Sequence, residues 1–215
     1  MDIFNTRRFV VASQQAFFTL AFPEGVGLRF DKNQSFDLNS HYVNLSGGAP
    51  LQAEVYVNFF FAEPGSITTF VRPIFEINFN INVPPNATRT TQSFFPGPTT
   101  FVLDPQLGRQ LGRVARETHI YSLTSHTHRH GIRFSAFRLA NGRDADPPDM
   151  VYDNDSWDDP HYQVYEPMVL MPGEGLRFTT THWYHDPPSP RSPALRFDVT
   201  SEDEMAILLG YYTVP

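Results

Sequence analysis

Two histidines separated by one residue, His126 and His128, are the strongest chemical signal in the chain. Residues two apart in a β-strand point to the same face, so these imidazoles would stand side by side, roughly 7 Å apart along the strand. Two imidazoles placed in this way can chelate one divalent metal, and zinc or non-haem iron fit such a pair. Ordinary polar side chains on an exposed strand have the same spacing, so both interpretations stay open at this point.

Met205 is the second signal, because it follows an acidic turn and opens the last apolar segment of the chain. Its thioether is a soft ligand that favours copper among the common metals, Cu(I) in particular. A place in the apolar core is the alternative, since methionine fills irregular gaps there. The spacing alone does not bring Met205 to the histidine pair. Regular alternation places His119 on the face opposite His126, and the roles of four more histidines stay open: His130, His161, His182 and His185.

The elements that must position these residues are short and β-like. Apolar or alternating runs of four to nine residues recur along the chain, and most are bounded by Gly, Pro, Asn or Asp. Many short strands at this spacing predict an all-β sandwich or barrel in a single domain, with under about a tenth helix. Residues 53–61 and 99–102 are among the predicted strands. Residues 105–111 are predicted to form a short helical turn, and the acidic stretch 144–159 a solvated loop.

Composition excludes several classes of protein. The 215 residues include no cysteine, which excludes a cysteine nucleophile, a thiolate zinc site, an iron–sulfur cluster and any disulfide. A net charge of −7 argues against nucleic acid as a partner. No apolar run approaches the ~20 residues that span a membrane. The first residues lack the pattern of a secretion signal, which predicts an intracellular protein or one whose signal has been removed.

Five pieces of the chain, in order between about residue 20 and residue 212, carry a family resemblance. They are PEGVG at 23–27, SHYVN at 40–44, His119 followed by His126 and His128, GEGLRF at 173–178, and SEDEM at 201–205. In this order they resemble the C-terminal domain of the copper type II, ascorbate-dependent monooxygenases. That family includes peptidylglycine α-hydroxylating monooxygenase and dopamine β-monooxygenase.

The resemblance implies a jelly-roll-like antiparallel β-sandwich over residues 20–215, with residues 1–19 as an N-terminal extension or arm. It implies that His126, His128 and Met205 hold an oxygen-binding copper, one per chain. It also implies that His41 is a ligand of a second copper, which transfers electrons. A C–H bond would be hydroxylated with ascorbate as the external reductant.

The sequence departs from the family in two ways. The other ligands of the second copper are a neighbouring histidine pair in the preceding family domain, and this chain has no adjacent His-His pair. We therefore expect either a partner domain that supplies the pair or a homo-oligomer, with contacts through the N-terminal residues and the strand near His41. A non-enzymatic structural or self-assembling sandwich, with or without copper, is the alternative.

The second departure is the absence of cysteine, because family members usually carry disulfides. The sandwich must then be held by its aromatic core. The family suggests a secreted or periplasmic protein, whereas the missing cysteines and the missing signal pattern leave a cytoplasmic location open.

Overall fold

The computed structural model of the protein describes residues 7–40, 42, 44, 47–185, 194–199 and 203–215. Strands make up 45% of the chain and helices 3%, so the prediction of an all-β protein with little helix is confirmed. Within the described ranges, no helix is long and apolar enough to cross a membrane. His41 lies outside the described residues, so its predicted role as a copper ligand stays a prediction.

Two four-stranded antiparallel sheets pack against each other, with strands numbered in chain order. The front sheet contains, in spatial order, Arg72–Ile77 (β3), Ala206–Thr213 (β12), Thr118–Thr127 (β6) and Gln163–Leu170 (β9). The back sheet contains Ala87–Phe95 (β5), Gly175–Tyr184 (β10), Gly131–Ala140 (β7) and Arg143–Asn154 (β8). Two short pairs complete the strands: Val26–Gly27 (β1) with Thr69–Phe70 (β2), and Asn82–Val83 (β4) with Leu195–Arg196 (β11).

One apolar cluster fills the space between the sheets. Ile120 and Leu208 from the front sheet and Phe134 and Phe178 from the back sheet are almost completely buried in it. The rings of Phe134 and Phe178 stack, with centroids 5.4 Å apart and an interplanar angle of 12°. Each buried side chain of this kind contributes about 1.5–3 kcal/mol through removal of apolar surface from water. The sandwich is thus held by aromatic and aliphatic packing, without any disulfide.

The outer face of the front sheet is covered by residues 9–22, which we call the N-terminal strap. Phe9 packs on Phe75 with ring centroids 4.9 Å apart, and the Tyr211 hydroxyl donates a hydrogen bond to the Val10 carbonyl at 2.6 Å. Phe22 meets the Tyr211 ring edge-on at 4.9 Å. Strand β12 is therefore buried on both faces, which explains its continuous apolar sequence in place of an alternating one.

The predicted strand over residues 99–102 is wrong, because these residues lie in the short helix Pro98–Leu103 (α1). Pro98 stands in the first turn, where its fixed φ favours a helix and its missing N–H removes no hydrogen bond. The buried Glu76 carboxyl group accepts hydrogen bonds from the backbone N–H groups of Gly97 at 3.3 Å and Thr100 at 2.7 Å. The helical turn predicted at 105–111 is a 3-10 turn of three residues, Pro105–Leu107.

Two further predictions of local structure are wrong. Residues 53–61 form no strand: they contact the segment at 30–36 through aromatic rings, as where Phe36 stacks on Phe59 at 4.4 Å, and no β-ladder among the described residues includes them. Much of the acidic stretch predicted to be a solvated loop is strand β8, the edge strand beside β7. The acidic side chains suit this edge, since charges there discourage pairing with another chain. Two of them, Asp144 and Asp153, form salt bridges with Arg177 at 2.9 Å and Arg133 at 3.0 Å.

The buried carboxyl of Glu76 predicts a pH dependence of stability. Burial raises the pKa of Glu76 to about 8. The hydrogen bonds from backbone N–H groups favour the charged form and lower the pKa, but their effect is smaller than that of burial. The unfolded chain loses this proton near pH 4.5, whereas the folded protein keeps it until about pH 8. Between these two pH values the free energy of unfolding therefore falls as the pH rises, by up to ~1.4 kcal/mol per pH unit.

Urea unfolding of wild type and Glu76→Gln at several pH values between 5 and 8 measures this contribution. The difference in unfolding free energy between wild type and variant should move in favour of the variant as the pH rises. The matched variant Glu166→Gln changes an exposed glutamate and should leave the pH profile of the wild type unchanged. Parallel profiles for wild type and Glu76→Gln would contradict the assignment.

Candidate metal site at one end of the front sheet

His126 and Met205 lie on the same face of the front sheet. The antiparallel pairing of β6 with β12 places His126 directly opposite Ile207 and Thr127 opposite Ala206. Directly opposed residues project to the same face, and Met205 shares that face because it is two residues before Ile207. Met205 packs against the buried cluster that contains Ile207 and Leu209 on the outer side of the sheet. The fold therefore brings the predicted soft ligand to the end of the strand that carries the histidine pair.

The imidazoles of His126 and His128 are close enough to bind one metal ion together. Their ring centroids are 5.4 Å apart and the rings are nearly perpendicular, at 89°. A metal–nitrogen bond of about 2.0–2.1 Å places the ion about 3 Å from each ring centre, and hence the two centres about 5–6 Å apart. The observed separation fits a shared ion. Both residues are partly buried, so such an ion would be partly shielded from water.

A hydrogen bond fixes the ring of His128. Its Nδ1 lies 2.9 Å from the backbone carbonyl oxygen of Asp203. A carbonyl oxygen only accepts, so Nδ1 carries the proton and Nε2 keeps its lone pair. Histidines that bind metals commonly donate their other ring nitrogen to a carbonyl or carboxylate in this way.

Glu204 anchors the backbone of the turn that carries the pair. Its carboxylate accepts hydrogen bonds from the N–H groups of His128 at 3.1 Å and His130 at 2.8 Å, and its side chain is completely buried. The turn closes with a hydrogen bond from the Gly131 N–H to the His128 carbonyl at 3.0 Å. A Cβ at Gly131 would lie 2.6 Å from side-chain atoms of Thr127, so glycine is required there.

His182 of β10 faces Glu204 from the back sheet, with its Nε2 3.7 Å from the carboxylate. Both side chains are completely buried. Burial lowers the pKa of His182 to about 4 and raises the pKa of Glu204 to about 7. Desolvation thus outweighs the attraction between the two groups, and the imidazole is neutral at neutral pH. Neither ring nitrogen of His182 has a hydrogen-bond partner among the described residues.

The nitrogens of His130 are both engaged. Nδ1 donates to the Trp183 carbonyl at 3.2 Å and Nε2 accepts from Arg129 Nε at 3.2 Å. His161 stacks on Tyr152 and His185 packs against Trp183, with ring centroids 5.0 and 4.7 Å apart. These three histidines therefore have packing or hydrogen-bonding roles in the structure.

The prediction that His119 faces away from His126 is wrong. A β-bulge at Tyr121 shifts the register of β6 against β12, and the extra residue restores His119 to the outer face. His119 lies at the other end of β6, where its Nε2 is 2.7 Å from Glu117. Seven residues separate it from His126, roughly 23 Å along a strand, so His119 is not part of the site.

Within the described part of the chain, no group of three or more His, Cys, Asp or Glu side chains is arranged to hold a metal. Met205, whose thioether is a donor of another type, lies on the same sheet face as His126. No protein-family model matches the chain, and no curated protein is similar to it.

Sequence analysis missed Glu204 and left the role of His182 open. Both lie in segments that carried a visible signal. Glu204 directly precedes Met205, and His182 shares the alternation that buries Thr180 and Tyr184 in β10. Alternation along a strand does not show that His182 and Glu204, which are far apart in sequence, lie next to each other in the interior.

Loss of the Glu204 carboxylate should destabilise the protein strongly. Glu204→Ala leaves two backbone N–H groups without their acceptor, at about 1–3 kcal/mol each. Glu204→Gln keeps one acceptor oxygen and should cost less than Glu204→Ala. Urea unfolding at pH 7 measures both, with Glu166→Ala as the exposed control, for which the expected change is within about 0.5 kcal/mol. A Glu204→Ala variant as stable as the control would contradict the anchoring role.

Proposed function

We propose that this chain is a copper-binding β-sandwich domain related to the oxygen-activating half of the copper, ascorbate-dependent monooxygenases. The ligands are His126, His128 and Met205. The observation that carries the proposal is the perpendicular imidazole pair, 5.4 Å between ring centres, on the sheet face that also carries Met205. The order of the five sequence pieces supports the same assignment.

The donor set favours copper over zinc. Two neutral imidazoles and a thioether suit Cu(I), and Cu(II) has the highest affinity for nitrogen sites among the common divalent metals. Glu204 is the buried carboxylate next to Met205 in sequence, but it faces His182 and the back sheet. The donors on the outer face are therefore the two imidazoles of His126 and His128 and the thioether of Met205. Zinc has no thiolate to bind, because the chain has no cysteine.

Copper in such a site supplies dioxygen activation for the hydroxylation of a C–H bond, with ascorbate as external reductant. The chain itself orients the ligands. The Asp203 carbonyl fixes the ring of His128, and the N-terminal strap limits access of water, since Phe9 packs in the same cluster as Met205. Within the proposal, a partner domain completes the second copper at His41, and this chain alone turns over poorly.

A structural, self-assembling sandwich is the second candidate. The observation that favours it is the exposed aromatic segment at residues 51–61, where Tyr56 is 80% and Phe60 91% exposed. Contiguous apolar surface of this kind usually marks an interface.

Copper loading separates the two candidates. Wild type should bind one copper per chain. Met205→Leu should weaken Cu(I) at least about tenfold, or ~1.4 kcal/mol, and Cu(II) much less, whereas His126→Ala should abolish both. Metal analysis, competition with a Cu(I) chelator and electron paramagnetic resonance of the Cu(II) form measure these effects.

Matched controls are Met171→Leu, at an exposed methionine, and His119→Ala, at the histidine near the other end of β6. Both should bind copper like wild type. Absence of stoichiometric copper in wild type would favour the structural candidate. Efficient coupled hydroxylation by this chain alone would contradict the need for a partner domain.

The exposed aromatic segment predicts association. Wild type should sediment as an oligomer at micromolar concentration, and Phe60→Ser should shift it towards monomer, because the substitution removes apolar area that association would bury. Phe79→Ser, at a phenylalanine that is 52% exposed in another region, is the control. A wild-type monomer over a wide range of concentration would argue against assembly through this segment.

A further inference from the structure

A cleft of about 370 Å³ lies at the end of the sandwich opposite the histidine pair. It is lined by the loop at residues 108–115 and the turn at Pro172 and Gly173. This loop precedes β6, whereas His126 lies near the end of that strand. The volume is within the range of small-molecule sites, about 300–1,000 Å³.

The loop that lines the cleft is held in place by backbone hydrogen bonds. The Gly112 N–H donates to the Pro96 carbonyl at 2.9 Å and the Val114 N–H to the Glu174 carbonyl at 2.7 Å. The Gly173 N–H in turn donates to the Val114 carbonyl at 2.8 Å. A loop fixed from three sides presents its side chains in a defined arrangement, which lowers the entropy lost on binding.

Two arginines, Arg109 and Arg113, line this cleft. Arg109 and Arg113 form no salt bridge with the described residues. The acidic groups of the adjoining turns are already paired: Glu174 with Arg138 at 2.6 Å and Asp144 with Arg177 at 2.9 Å. Positive charge is thus concentrated at the cleft of a protein whose net charge is −7.

Backbone groups add to the positive character of the cleft. The N–H group of Arg109 has no backbone acceptor among the described residues, whereas Gln110 and Arg113 form an antiparallel β-bridge that fixes the backbone of the loop. The guanidinium of Arg113 packs over the β7–β8 turn, where a Cβ on Gly142 would lie 2.5 Å from Arg113 Nε. Asn141 and Gly142 both have positive φ values, of 53° and 72°, as in a tight two-residue hairpin turn. The turn gives the guanidinium a rigid support.

We propose that this cleft binds the phosphate group of a small ligand. The two arginine side chains and the Arg109 N–H offer more donors than one carboxylate can accept, whereas a phosphate carries nearly two negative charges and more acceptor oxygens. The cleft volume limits the ligand to a small molecule. The acidic net charge of the chain disfavours extended polyanions such as nucleic acid.

Titration of the ¹⁵N-labelled full chain with phenyl phosphate, inorganic phosphate and benzoate at low salt tests this site. Phenyl phosphate or inorganic phosphate should give saturable shifts of the Arg109 and Gln110 amide signals, and the tighter of the two identifies an organic phosphate or the free ion as the ligand. Benzoate should bind at least about tenfold more weakly, because its carboxylate has one negative charge and only two acceptor oxygens.

Arg113→Gln and Arg109→Gln should each weaken binding about tenfold through loss of a charge-assisted contact. Arg89→Gln removes the same charge from an exposed arginine on β5 and should leave the affinity within about twofold, since screening limits distant charges. The proposal is overturned by an equal effect of Arg89→Gln, by benzoate binding as tightly as the phosphates, or by shifts that do not saturate.

Discussion

The register between β6 and β12 decides which side chains reach the core and which reach the site. Ile207 stands opposite His126, and the period of two along each strand then assigns every neighbour to a face. Leu208 points into the core between the sheets, while Met205 and Ile207 point outward beside the histidine pair. A slip of β12 by one residue would turn Leu208 to the outer face and Met205 and Ile207 towards the core, which would separate the thioether from the imidazoles. The same pairing therefore governs both stability and the proposed chemistry.

Glu204 secures this register where the two strands end. A buried carboxylate is costly, and the cost is offset by hydrogen bonds from two backbone N–H groups, those of His128 and His130. By holding the backbone at these positions, Glu204 limits the directions that the His128 ring can take. His182 packs next to the Glu204 carboxylate on the side of the back sheet, and because its imidazole is neutral it does not add a second buried charge. Packing of the interior thus sets the geometry of side chains on the outer face.

The fold class followed from the sequence because short runs bounded by turn residues are a local property. Local patterns failed where a distant partner decides the outcome. Residues 99–102 have the β-branched and aromatic character of a strand, but Glu76, far away in sequence, accepts the N–H groups that begin a helix. The acidic residues from 144 onward belong to a strand because β7 pairs with them on one side.

The candidate site shows the same division. The spacing of His126 and His128 predicted two neighbouring imidazoles, and their ring centres lie 5.4 Å apart although β6 ends at Thr127, between them. Spacing was not enough for His119, because the bulge at Tyr121 is not visible in the sequence. The position of Met205 on the sheet face of His126 and the anchoring by Glu204 depend on pairing between residues almost 80 positions apart, which no local pattern specifies.

X-ray absorption spectroscopy of the Cu(I)-loaded protein is the most direct measurement of the central claim, that His126, His128 and Met205 bind one copper. The account predicts imidazole scattering and one sulfur scatterer in wild type. It predicts loss of the sulfur with retention of the imidazoles in Met205→Leu, and an unchanged spectrum in Met171→Leu. A wild-type spectrum without sulfur, or a sulfur signal that persists in Met205→Leu, would contradict the account.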